Sequence, residues 1–191
     1  LVNNQGAVVA HVFLDKDGNN KFDGDDTPIE GAVIKSLQSV KFAKTESDGA
    51  AFMSNLPEYI ATDIVLEGST LGDPFYVSTF KGMSVYPRPG APAHIDFPVH
   101  MAGELDGRVM RPQPNGMQPV GGVHVELIDL LGHPVSSSLT AYDGYYVLSL
   151  IPPGSYLLRL NPDDLKDTGL RQSLPRVVTF GYDGAVVAGQ D

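Results

Sequence analysis

The sequence contains no cysteine and no tryptophan. The first absence rules out structural disulfides and thiolate metal sites, although it leaves the cellular compartment open. No run approaches the roughly 18 to 20 consecutive apolar residues that a membrane-spanning helix needs, so these residues are expected to lie outside the bilayer, whatever larger protein they belong to. Bases are scarce as well: 13 Lys and Arg against 23 Asp and Glu leave a net charge of −10. Such a balance argues against nucleic acid and against anionic membrane surfaces, both of which call for basic stripes. The chain opens "LVNNQG", without Met and without a charged-then-apolar leader. That opening reads as a piece of a longer protein or a processed mature form.

Helical periodicity is nearly absent too. What the 191 residues offer instead is 42% hydrophobic content, enough for real cores, cut by 21 Gly and 15 Pro into short β-rich runs. The first set comprises "AVVAHVFL", "GAVIKSL", "AAFMS", "DIVLEG", "PFYVSTF" and "AHIDFPV". The second comprises "GELDGRVM", "GVHVELIDL", "YYVLSL", "SYLLRL", "RVVTFG" and "AVVAG". In "GVHVELIDL", Val123, Val125 and Leu127 alternate with His124, Glu126 and Ile128, the period of a half-buried strand. Strands at this spacing with turn residues between them predict an all-β sandwich or barrel. One short helix is expected at residues 161 to 167, "NPDDLKD", with Asn161 as N-cap and Pro162 in the first turn.

An internal echo divides the chain. "TESDGAAFMSNLP" begins at Thr45 and "TAYDGYYVLSLIP" at Thr140, an offset of 95, and each is preceded by Gly and an alternating strand at Gly31 and Gly122. Two domains of similar topology are therefore expected, residues 1–101 and 102–191. Their net charges are −6 (13 acids, 7 bases) and −4 (10 acids, 6 bases), so neither is basic. The Asp-Gly steps supply the positive φ of a tight hairpin.

The densest chemistry is "DKDGNNKFDGDD", residues 15 to 26, with five aspartates in twelve positions. A hard cation takes oxygen ligands at alternating places on a loop that wraps it. Asp15 at position 1 is followed by Asp17 at 3, Asn19 at 5, the Lys21 carbonyl at 7, Asp23 at 9 and Asp26 at 12. Two departures from the helix–loop–helix calcium motif stand out. Asn20 fills the sixth place where Gly is usual, and Asp26 is one carbon shorter than the usual Glu. The flanks are strands, so the loop would be a calcium-filled connection between strands. The competing reading is a solvated Asp/Asn/Gly turn whose acids only keep a strand connection soluble.

Residues 12 to 34, "VFLDKDGNNKFDGDDTPIEGAVI", resemble the calcium-binding B-type repeat of Sdr-class bacterial surface adhesins. Asp15, Asp17, Asn19, Asp23 and Asp26 match that family's acidic or amide positions, and Gly31 and Val33 its strand entry. The second half resembles carboxypeptidase regulatory-like domains through Gly107-x-Val109, Gly122-Val123, Thr140, Asp143-Gly144-Tyr145-Tyr146 and Pro153-Gly154-x-Tyr156. Together the resemblances imply two tandem Ig-like or transthyretin-like β-sandwich domains. A looser similarity, "SVYPRPGAPAHIDFPV" at 84 to 99, links the chain to the region after the barrel of fimbrial outer-membrane ushers. On its own residues that stretch reads as an edge strand tolerating Pro at its ends.

Nothing points to catalysis. His11, His94, His100, His124 and His133 form no HxH or HxxxH pair, and Ser136 to Ser138 lack a nucleophile-elbow context. Asp163 and Asp164 open the short helix, where its dipole favours acids. Lys35, on a strand, raises the isopeptide bond of some adhesin sandwiches, but the sequence offers no clear partner. Tyr142, Tyr145 and Tyr146, or Phe75, Tyr76 and Phe80, could form a sugar- or protein-binding platform, or simply fill the core. The expected function is therefore non-catalytic: structural, protein-binding modules of a larger exported bacterial protein at the periplasm, outer membrane or cell surface. Their partners would be envelope or surface-fibre proteins, with calcium as the one cofactor. The alternative is an accessory carbohydrate-binding or positioning module of a secreted peptidase or glycosidase.

Overall fold

The computed structural model describes residues 5–171 and 175–191; of the opening "LVNNQG", only Gln5 and Gly6 fall within them. The chain divides into two compact units, Leu1–Met101 and Ala102–Asp191. Each is a β-sandwich.

The first unit contains β1 (Gly6–Leu14), β2 (Thr27–Pro28), β3 (Val33–Ser36), β4 (Lys41–Lys44), β5 (Ala50–Leu56), β6 (Thr62–Glu67), β7 (Tyr76–Ser78), β8 (Gly82–Val85) and β9 (Ala93–Met101). One sheet runs β2-β1-β9-β7, with β5 also paired to β1; the other runs β4-β3-β6-β8. Alternation along β1 sends Val8, Ala10 and Val12 inward to meet Ile34, Ile64, Ile95 and Phe97. The stretch read as an edge strand, residues 84 to 99, starts on the edge strand β8 but ends on an internal one: β9 lies between β1, which it joins in parallel, and β7. Pro98 has no N–H to give the ladder, and its carbonyl accepts from Thr79 N–H at 3.1 Å.

The second unit contains β10 (Gly103–Arg108), β11 (Met110–Gln113), β12 (Gly116–Pro119), β13 (His124–Ile128), β14 (Pro134–Leu139), β15 (Tyr145–Ile151), β16 (Gly154–Leu160), α1 (Pro162–Thr168), β17 (Arg176–Phe180) and β18 (Val186–Val187). Its sheets are β15-β10-β18 and β14-β13-β16-β17, with β11-β12 as a separate hairpin. Leu105, Leu127, Leu148, Ile151 and Phe180 fill its core. On β13, Val125 and Leu127 are buried as expected, and Ile128 is buried too because the ladder slips beside it. Asn161 caps α1 by accepting from the N–H groups of Asp163 and Asp164.

The sequence echo extends into the strand pairing of each sandwich. Both first strands pair antiparallel with the strand after the Asp-Gly turn and parallel with the last strand. Both slip register at the same place, Gly6 opposite Leu56 and Gly103 opposite Ile151. Asn55 and Leu150, 95 residues apart, share the left-handed region at φ 60° and 56°. In the first unit Thr45 Oγ1 accepts from Ala32 N–H at 2.9 Å. In the second Thr140 Oγ1 accepts from Val123 N–H at 3.1 Å. Both threonines are buried, and either replaced by valine leaves an interior amide without its acceptor. Each substitution is expected to cost about 1–3 kcal/mol in urea unfolding, confined to its own unit.

The two sandwiches differ in how they close one connection. In the first, Val12 N–H donates to Gly49 O and Val12 O accepts from Ile29 N–H; in the second, Val109 does the same with Gly144 and Val120. Between Val109 and Val120 the chain makes the β11-β12 hairpin, held by its own backbone ladder. Between Val12 and Ile29 it makes the aspartate loop.

Candidate functional site

The loop hangs from the sheet by Asp15. Its N–H donates to Val99 O at 2.8 Å, which extends β1 alongside β9 by one residue, and its side chain is fully buried. Asp15 Oδ1 accepts from Gly18 N–H and Oδ2 from Asn20 N–H, each at 2.8 Å. The bond to Asn20 reverses the chain, and Asn20 takes φ 60° to allow it, the left-handed turn expected of the sixth position. Asp26 then reaches back to the loop's start: Oδ1 accepts from Lys16 N–H at 3.2 Å and Oδ2 from Asp23 N–H at 3.0 Å.

These bonds bring one carboxylate oxygen each from Asp15, Asp17 and Asp26 within 4.8 Å of one another. Like charges that close repel, more strongly beside a buried group than in open water. The chain's own lysines do not relieve them: among the described residues, lysine ion pairs are Lys35–Glu67 and Lys166–Asp163, while Lys16 and Lys21 are exposed. Of the other expected ligands, Asn19 turns its nitrogen toward the acids. Its Nδ2 donates to Asp17 Oδ2 at 2.8 Å and to Asp23 Oδ2 at 2.7 Å, while Lys21 N–H donates to Asn19 Oδ1. The donors are all oxygen, hard and anionic, which suits calcium. An ion ligated by Asn19 would require that amide to turn its oxygen inward.

His100, set aside in the sequence for want of a paired histidine, lies under the loop. It is buried on β9, with Nδ1 at 3.1 Å from Asp15 O and Nε2 at 4.0 Å from Asp15 Oδ2. Phe22 on the loop's outer turn packs on Phe13 and stacks on His11, with ring centroids at 5.2 and 6.0 Å. An apolar residue inside an acidic loop was the available signal that the loop folds down onto its sheet.

The remaining candidates separate. Lys35 Nζ meets Glu67 Oε2 at 2.7 Å, an ion pair with a glutamate at the surface. Ser136, Ser137 and Ser138 pair across to Leu127, Glu126 and Val125 on β13. Asp164 accepts from His124 N–H and lies 2.9 Å from His124 Nδ1. The backbone bond first, then the side-chain bond, holds Asp164 below the usual carboxylate range.

Of the tyrosine trio, Tyr142 stands in solvent, Tyr145 is partly exposed with its hydroxyl on Asp106, and Tyr146 is core. Tyr146 donates to Gln190 O at 2.7 Å; burial first, and the nearby Asp191 charge second, push its phenol up to about 12. Because the folded pKa is raised, the contribution of Tyr146 is intact below the ordinary tyrosine value near 10 and is lost as pH rises toward 12. Burial also raises Tyr145 and Tyr156, so ultraviolet titration should show several late tyrosinates. Tyr146→Phe should reduce their number by one together with part of the alkaline loss of stability of the second unit.

No protein-family model matches the chain, and no curated protein matches its sequence. A solved structure does share the fold. A minor pilin of the Gram-positive pathogen Streptococcus agalactiae superposes with a TM-score of 0.50 at 15% identity, over 96% of this chain and 94% of the other. The TIE protein of Bacillus anthracis gives 0.42 at 15% identity, and a streptococcal ancillary pilin 0.44 at 16%. The chain covers 97% and 98% of itself in those two matches but spans only 33% and 62% of their lengths.

Proposed function

We propose that the two sandwiches are non-catalytic structural and protein-binding modules of a larger exported bacterial surface or envelope protein, the first of them stabilised by calcium. The observation that carries the calcium reading is the paired connection. Residues 110 to 119, which close the second sandwich, contain no acid, whereas residues 15 to 26 contain five aspartates at the equivalent place. Neither the topology nor solubility demands that charge, so a cation is its natural counterpart.

Asp15, Asp17 and Asp26 would hold the ion, with Asn19, Asp23 and the Lys21 carbonyl completing the expected set. When bound, calcium supplies positive charge that cancels the repulsion among the carboxylates. Asp15 ties the loop to the buried end of β1, and Asp26 ties its far end back to Lys16. A dissociation constant on the order of 10⁻⁴ to 10⁻³ M suits an extracellular module. The minor-pilin likeness supports the surface-fibre setting, and edge strands such as β4 offer partners a place for strand addition. In the usher-like version of this reading, the modules would stand in the periplasm and receive subunits there.

Limited trypsin digestion tests the reading, since Lys16 and Lys21 lie in the loop. Millimolar calcium should slow cleavage at both sites by about tenfold relative to EDTA, with magnesium far less effective. Equal cleavage in calcium and EDTA would count against it.

A further inference from the structure

In a chain of net charge −10, four of the six basic residues of the second unit line one cavity of about 330 Å³: Arg108, Arg159, Arg171 and Arg176. Its apolar wall comes from Val125 on β13, Leu158 on β16 and the ring of Tyr146 on β15, so it opens where the two sheets of this sandwich face each other.

Two of the arginines are engaged. Arg159 places Nε and Nη2 on Glu126 Oε2 at 3.1 and 3.0 Å, and Arg108 meets Asp143 at 3.4 Å. Arg171 and Arg176 form no ion pair among the described residues. Arg176 is anchored through its backbone, which pairs with Leu158 in the ladder, and its side chain is exposed. It shares the cavity with one acid, Asp191, whose Oδ1 accepts from Arg108 N–H at 2.8 Å, so four arginines face a single acidic side chain there.

Guanidinium groups beside aliphatic surface complement a ligand that has both a carboxylate and an apolar body. A nucleic acid would meet a chain that is negative elsewhere. A sugar would be expected to favour flat aromatic faces, whereas Val125 and Leu158 are aliphatic. The volume suits one large side chain with its neighbouring acid. We infer that this cavity docks an acidic peptide segment of a partner protein, with one large apolar side chain against Val125, Leu158 and Tyr146 and an adjacent carboxylate on Arg171 and Arg176. The inference rests on the reading of the second unit as a protein-binding module and is independent of calcium.

The test uses the full 191-residue chain in calcium buffer. Acetyl-Asp-Phe-Asp-Asp-amide is titrated while two-dimensional amide NMR spectra are recorded. Shifts should cluster on residues around the four arginines. Binding should weaken about tenfold with Asp-Ala-Asp-Asp and about tenfold in the Arg171→Gln, Arg176→Gln double variant. Both arginines are exposed, so the variant should keep the wild-type spectrum elsewhere. No shifts at the cavity, equal shifts with acetyl-Lys-Phe-Lys-Lys-amide, or unchanged affinity in the double variant would overturn the proposal. An oligoglucuronate that binds as tightly as the peptide would also overturn it, in favour of acidic sugar. The readout lies wholly in residues 102–191, so failure here leaves the calcium reading standing, and failure of calcium binding leaves this result intact.

Discussion

In saturating calcium, Asp15→Ala should melt the first sandwich roughly 10 °C or more below the unsubstituted chain, the largest effect expected of any loop substitution. Two losses combine. A ligand at about 100 times its dissociation constant stabilises the native state by about 2.7 kcal/mol, and that contribution disappears with a principal ligand. The N–H groups of Gly18 and Asn20 also lose their acceptor, so the variant should remain the less stable protein even in EDTA. Asp25→Ala is the control. It removes the same charge from the same loop, but Asp25 is exposed and lies outside the converging carboxylates. If the acids were only a solvated turn, the unsubstituted chain would not respond to calcium, and Asp25→Ala would relieve repulsion and raise the melting temperature. Asp15→Ala would then cost only its two backbone bonds, equally in calcium and in EDTA. Under the calcium reading the two move apart: Asp25→Ala stays within about 0.5 kcal/mol of the unsubstituted chain, and Asp15→Ala loses its response to calcium. Differential scanning calorimetry in calcium and in EDTA separates these outcomes.

Gly49→Ala and Gly144→Ala should each cost about 2–4 kcal/mol, confined to the sandwich that carries the change. Both glycines have positive φ, 76° and 79°. A Cβ at Gly49 would sit 2.6 Å from Val12 O, and one at Gly144 would sit 2.5 Å from Val109 O. Those carbonyls are the equivalent groups that accept from Ile29 and Val120 and so close the connection in each unit. The strain therefore falls on backbone that cannot withdraw without opening the sandwich. Gly68→Ala, where a Cβ meets open space, should be near neutral. Urea unfolding of the three variants measures the contrast. Equal, small effects at all three positions would show that the two Asp-Gly turns are not the shared closure described above.

Those turns were also the most legible part of the fold. Asp48-Gly49 and Asp143-Gly144 mark hairpins because only a residue free of Cβ strain sits easily at positive φ. Buried strands such as β1 and β13 show through the alternation that burial on one face imposes. Three edge strands did not show: "KFAK" of β4, "GMSV" of β8 and "PVSSSL" of β14. An edge strand has a neighbour on one side only, and polar or charged residues there discourage aggregation, which erases the hydrophobic signature. Phe42, on β4, is an exception, an apolar side chain left mostly exposed. In the loop, spacing singled out Asp15, Asp17, Asn19, Lys21, Asp23 and Asp26, and the fold brings carboxylate oxygens of Asp15, Asp17 and Asp26 close to one another. The place of His100 beneath Asp15 was not legible, because 85 residues separate them and only the parallel pairing of β1 with β9 brings them together. The arginine cavity was equally hidden: its four members come from segments that meet only once the second sandwich closes.

The central claim is that the aspartate loop is a calcium site, and isothermal titration of calcium into the metal-free chain tests it most directly. The account predicts one calcium per chain with a dissociation constant of about 10⁻³ M or tighter, little heat from magnesium, and no binding in Asp15→Ala. An absence of saturable binding in millimolar calcium, or equal binding by Asp15→Ala, would contradict it and leave residues 15 to 26 as a solvated turn on an otherwise unchanged pair of sandwiches.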